Sequence, residues 1–120
     1  MTVTLETIFN AKEALTAFSQ KELSIATSYR VAKLLKTVNA ELETFNTQRI
    51  KLLQDIGSTL SEDGTQYTIP TDKRAEFAEK FSQLLAVTVE MPDKIDISGE
   101  NISISPDLLM ALEPFVNIEV

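Results

Sequence analysis

One register of apolar residues constrains this chain more than any other feature. Val31, Leu35, Val38, Leu42, Phe45, Arg49, Leu52 and Ile56 follow one another in alternating steps of four and three without a slip. That spacing predicts a single amphipathic helix from roughly Ser24 to Ile56, ended by Gly57, a residue free to take positive φ. At 1.5 Å per residue such a helix is about 50 Å long. A compact chain of this size has a radius of gyration of about 14 Å, so the helix must run the full length of the molecule. No single short neighbour covers it.

The rest of the chain offers short elements. Val3 and Leu5 alternate like a strand; Ile8, Ala11, Leu15 and Phe18 then mark a first helix beginning near Glu6 or Thr7. After Gly57, Asp63-Gly64 predicts a turn, and Gln66–Ile69 a short strand stopped by Pro70. A third helix follows, capped by Thr71 or Asp72, with Phe77, Phe81 and Leu84 or Leu85 on one stripe. Val87, Val89 and Met91 alternate, two further strands are expected about Ser98-Gly99, and a brief helix is expected with Ser105 as cap and Pro106 at its first position. The fold class expected is α+β: a long helix packed with two shorter ones, plus a small antiparallel sheet from the C-terminal half. One domain, 1–120, is expected, its helical part at 6–57 and 71–85 and its strand-rich part at 61–70 and 86–120.

Several function classes have little to stand on. The chain has no Cys and no His, which removes thiolate nucleophiles, Cys-ligated zinc and the commonest general base. Three glycines provide neither a phosphate cradle nor a nucleophile elbow, so no enzyme and no cofactor are expected. Asp93, Asp96, Glu100, Asp107 and Glu113 crowd the last thirty residues or so, but without the alternating ligands of a calcium loop they predict a solvated acidic surface. No apolar run approaches the roughly 18 residues of a membrane span, and Met1 to Glu6 lacks the basic and apolar regions of a signal peptide. Residence inside a cell, away from membranes, is the expectation.

The net charge of −7 is unevenly placed. Residues 1–57 hold seven basic against six acidic residues, a balance of +1; residues 58–120 hold four against twelve, a balance of −8. A phosphate backbone is repelled by the second half, so nucleic acid is not an expected partner. Tyr29 and Tyr67 are expected as half-buried packing residues.

The stretch YRVAKLLKTVNAELETFNTQRIKLLQDIG, followed by a short helix, a Val-rich strand and ISPDLLMALEPF, resembles a group of small proteins of unknown function encoded by tailed bacteriophages and prophages of Gram-positive bacteria. The likeness spans roughly Ile8 to Phe115 and is clearest around Glu43 to Leu52, at the glycine after the long helix, and at Leu112-Glu113-Pro114-Phe115. Ile56 stands where that group is expected to carry an aromatic residue. The resemblance implies a phage or prophage origin and synthesis in a host cytoplasm. It implies no activity.

The long seam has two compatible readings. Helices one and three lie end to end along it, or part of it is left for a second copy or another protein. Arg49, at the seam's centre, either keeps its head in water or pairs with a carboxylate of another element or subunit. Val116, Ile118 and Val120 share one face of a terminal strand that pairs within the chain or across subunits. The residues expected to form an interface are thus Val31, Leu35, Val38, Leu42, Phe45, Arg49, Leu52, Val116, Ile118 and Val120. Two functions fit: a homo-oligomeric phage assembly or virion-associated component or adaptor, or a host-interfering protein that binds a host protein or sequesters a small nucleotide. For the nucleotide, the available cations are Arg30, Lys33, Arg49, Lys51, Lys73 and Arg74.

Overall fold

The computed structural model describes residues 1–117 and has an α+β architecture. In chain order it contains β1 (Thr2–Thr4), α1 (Leu5–Ser19), α2 (Ile25–Asp55), β2 (Thr59–Leu60) and β3 (Tyr67–Thr68). A 3₁₀ turn at Thr71–Lys73 leads into α3 (Arg74–Leu85), followed by β4 (Thr88–Glu90), β5 (Ile95–Asp96), α4 (Pro106–Leu112) and β6 (Val116–Asn117). At 31 residues, α2 is about 46 Å long. It sets the long dimension of a body measuring 53 × 29 × 24 Å, whose radius of gyration of 17.4 Å exceeds that of a compact chain.

Both ends of α2 follow from local chemistry. Ser24 is the N-cap, its Oγ accepting from the Thr27 N–H. At the other end Gly57 has φ +80°, the Ser58 N–H donates to the Leu53 carbonyl at 3.0 Å, and the Gly57 N–H to that of Gln54 at 3.0 Å. These two bonds form a Schellman motif. A Cβ added at Gly57 would meet nothing within 4 Å, so only backbone strain opposes a side chain there. Gly57→Ala is therefore expected to destabilise the fold by about 1–2 kcal/mol, with Gly57→Asn costing less, as read by chemical denaturation.

The first turn of α2 contains no acidic residue. Glu100, 76 residues later in sequence, takes that place: its carboxylate accepts from the Ser24 Oγ at 2.6 Å and from the Ser24 N–H at 3.2 Å. The hydrogen bonds from the Ser24 and Thr27 side chains, and then that from the Ser24 backbone, lower its pKa from 4.5. A carboxylate depressed in the folded state stabilises the fold above its unfolded pKa, and this contribution disappears as pH falls through the folded value. Thermal melts of the native chain and of Glu100→Gln should therefore differ at neutral pH and converge as pH falls through the lowered pKa of the folded state.

The core lies between α1, the first half of α2, β5 and α4. Ile8, Leu15 and Phe18 of α1, Leu34 and Val38 of α2, Leu112 of α4 and Phe115 are nearly solvent-free. α1 and α2 form a helical hairpin, joined by residues 20–24, with Phe9 meeting Phe45 far from the connection. α3 packs on the second half of α2 but buries none of its side chains completely; Phe81, Leu84 and Leu85 are half-buried.

Several expectations are corrected. Leu34 and Leu53 are buried, whereas Leu35 and Leu52, which the register placed in the seam, are only half-buried. α1 reaches along α2 as far as Phe45, where α3 also meets it, so differently placed neighbours bury different edges of one stripe. The third helix has no side-chain cap from Thr71 or Asp72 and starts instead through the 3₁₀ turn. The strands form three two-stranded ladders. β1 pairs antiparallel with β4, with Val3 opposite Val89; β2 pairs antiparallel with β3; β5 pairs in parallel with β6, with Ile95 opposite Val116. The last is parallel because the chain crosses over through α4 before returning. A turn occupies Ser98-Gly99, and residues 100–105 after it form no strand. Tyr67 is half-buried as expected, but Tyr29 is 64% exposed.

Candidate interaction surfaces along the long helix

Three hollows flank α2, and two of them are built around aromatic side chains. The first lies where α1, α2 and α3 converge, a groove of about 500 Å³ lined by Phe9, Lys12, Leu42, Phe45, Asn46, Arg49 and Phe81. Phe45 is its buried floor: its ring centroid is 5.7 Å from that of Phe9 and 5.8 Å from that of Phe81, both tilted, and Phe77 stacks on Phe81 at 5.4 Å. Tilted pairs at these distances suit the aromatic quadrupole, so the cluster holds its shape. Phe9 nevertheless remains 54% exposed. Arg49 stands at the rim, where its guanidinium donates to the Asn46 Oδ1 at 2.9 Å on its own helix. No carboxylate among the described residues lies within 4 Å of it, so the half-exposed Arg49 head is left to solvent.

The second hollow, about 630 Å³, lies beside the first turns of α2 and is lined by Ala26, Tyr29, Arg30, Lys33, Pro92, Asp93, Lys94, Ile95 and Asp96. The Lys33 ammonium sits 5.4 Å from the Tyr29 ring centroid, a cation–π distance. Asp96 accepts from the Ser98 N–H at 2.9 Å; that bond, with the nearby charge of Arg30 as a lesser cause, lowers its pKa.

The residues expected at an interface separate into groups. Val31, Val38, Phe45 and Val116 are buried in the chain's own core. Leu35, Leu42 and Leu52 are half-buried. Leu42, Phe45 and Arg49 come together in the groove, whereas Leu52 lies in a shallower hollow with Gln48, Lys51, Asp55, Lys80 and Leu84. Ile118 and Val120 lie outside the described residues. Of the cations proposed for a nucleotide, Arg30 and Lys33 share one hollow; Arg49 and Lys51 are elsewhere, and Lys73 pairs with Glu76 at 3.5 Å.

Sequence reasoning missed Phe9, Lys12, Phe81 as a groove residue, and Lys94. Phe9 did leave a signal: it is a large aromatic beside Ile8, off the buried stripe of its helix. No group of three or more carboxylates that could hold a metal ion occurs among the described residues, and no helix there is long and apolar enough to cross a membrane. Comparison with protein-family models, with curated proteins and with solved structures finds no match to this chain.

Proposed function

We propose that this chain is a non-enzymatic interaction protein of phage type that self-associates through the aromatic groove and serves as an assembly or virion-associated component or adaptor. The observation that carries the reading is Phe9, more than half exposed yet held against a packed aromatic floor. Aromatic anchors at the centre of a formed hollow are what protein interfaces concentrate their energy on. A second copy meets the groove through its apolar centre. The charges lining it, Lys12 and Arg49, are both basic, so the acid that a two-fold contact sets against them comes from outside the lining, where the exposed Glu13 follows Lys12 on α1. The phage origin and host-cytoplasm synthesis rest on the sequence resemblance alone.

Light scattering on the full chain at micromolar concentration should give twice the monomer mass. A particle that stays monomeric at millimolar concentration would sink the proposal. Host interference, by clasping a host protein or sequestering a small nucleotide, is the second reading, favoured by the cationic hollow beside Tyr29. Gene order separates the two: neighbouring capsid, baseplate or tail genes favour assembly, and small early genes favour interference.

A further inference from the structure

We infer that the hollow beside Tyr29 is a binding site for a small aromatic phosphate monoester of nucleoside-monophosphate type. The site is independent of the groove and deepens the second reading by giving it a place and a ligand chemistry. Three cations line it: Arg30 and Lys33 from α2, and Lys94 from the segment entering β5. Among the described residues, no carboxylate lies within 4 Å of any of their head groups. Lys33 is instead held over an aromatic ring.

Two acids share the lining, and the nearby charge of Arg30 acts on one of them, Asp96, so the cations outnumber the acids by one. Asp96 accepts the Ser98 N–H, and Asp93, fully exposed, has the Met1 ammonium 3.7 Å away. That leaves guanidinium and ammonium donors for a phosphate, with the planar fork of Arg30 suited to two of its oxygens. The Tyr29 ring, 64% exposed, provides a surface on which a flat base stacks, while buried Ile95 gives the hollow an apolar wall. The volume of about 630 Å³ lies within the usual range for small-ligand sites.

Charge selects the size of the ligand. A chain of net charge −7 repels an extended polyphosphate backbone, whereas a single phosphate feels mainly the charges within a Debye length of about 8 Å, where the three cations of the lining outweigh Asp93 and Asp96. A mononucleotide fits where a nucleic-acid strand does not.

The test is a titration of the isotope-labelled full chain, followed by its amide spectrum, with adenosine monophosphate, inorganic phosphate and adenosine in separate arms. Adenosine monophosphate should move the resonances of Tyr29, Arg30, Lys33, Lys94 and Ile95, and bind at least about tenfold more tightly than either fragment. The double variant Lys33→Ala/Lys94→Ala should weaken it about tenfold or more. Tyr29→Ala should remove most of its advantage over phosphate, while Tyr29→Phe, which keeps the ring, should retain it. The same spectra report whether each variant is folded; these side chains are on the surface and outside the core. Absence of shifts at millimolar nucleotide, shifts confined to another face, an undiminished double variant, or phosphate binding as tightly as the nucleotide would each overturn the proposal.

Discussion

Phe115→Ala is expected to remove about 3–5 kcal/mol of folding stability, the range for deleting a fully buried aromatic ring. Phe115 has no exposed surface and belongs to the core formed by α1, α2 and α4. Its backbone is also engaged, with the carbonyl accepting from the Ile95 N–H at 2.9 Å and the N–H donating to the Leu112 carbonyl at 2.8 Å. Truncation therefore leaves a cavity at the point where α4 turns back to pair β6 with β5. Small domains have only about 5–15 kcal/mol in total, so the variant should lose most of its margin and melt at much lower temperature. Denaturant titrations of Phe115→Ala and Phe9→Ala side by side make the contrast: the exposed ring should cost no more than about 1 kcal/mol in the monomer. Equal costs would mean that the C-terminal segment does not close the core as described.

What was legible in the sequence was mostly local. Ser24 and Gly57 mark the ends of α2, and Ser105 with Pro106 the start of α4, because caps are built from side chains and φ preferences within a few residues. The pairing of strands was not legible. β1 finds β4 across almost ninety residues, and ladders of two or three residues contain too little alternation to specify a partner. Glu100 at the start of α2 is a contact of the same non-local kind. Of the groove, Leu42, Phe45 and Arg49 could be read from one helical register, whereas Phe9 and Phe81 join them only once α1 and α3 have docked. The same docking explains why Leu34 and Leu53, not Leu35 and Leu52, are buried: periodicity defines a stripe, and its neighbours decide which edge is covered.

Phe9→Asp is expected to turn a self-associated chain into a monomer while leaving its helical content unchanged. The ring lies on the open side of Phe45, in a groove whose charged lining residues, Lys12 and Arg49, are both basic, so its replacement puts a carboxylate on the apolar centre of the proposed interface. Removing the ring alone, as in Phe9→Ala, should cost at least about 2 kcal/mol of association at an anchor position, roughly a thirtyfold rise in Kd. Introducing the charge should cost more. Leu42→Ala, at the half-buried side of the same groove, should weaken association less, because its side chain already spends part of its surface on the chain's own core. Sedimentation velocity across a concentration series reads all three variants, and circular dichroism shows that each remains folded. Charge reversal at the rim checks the two-fold arrangement: Lys12→Glu and Glu13→Lys alone should each weaken the dimer, and together should restore it, because opposite charges again face one another across the axis. A dimer indifferent to Phe9→Asp would place the contact between copies on another face, and the groove would then have no part in assembly.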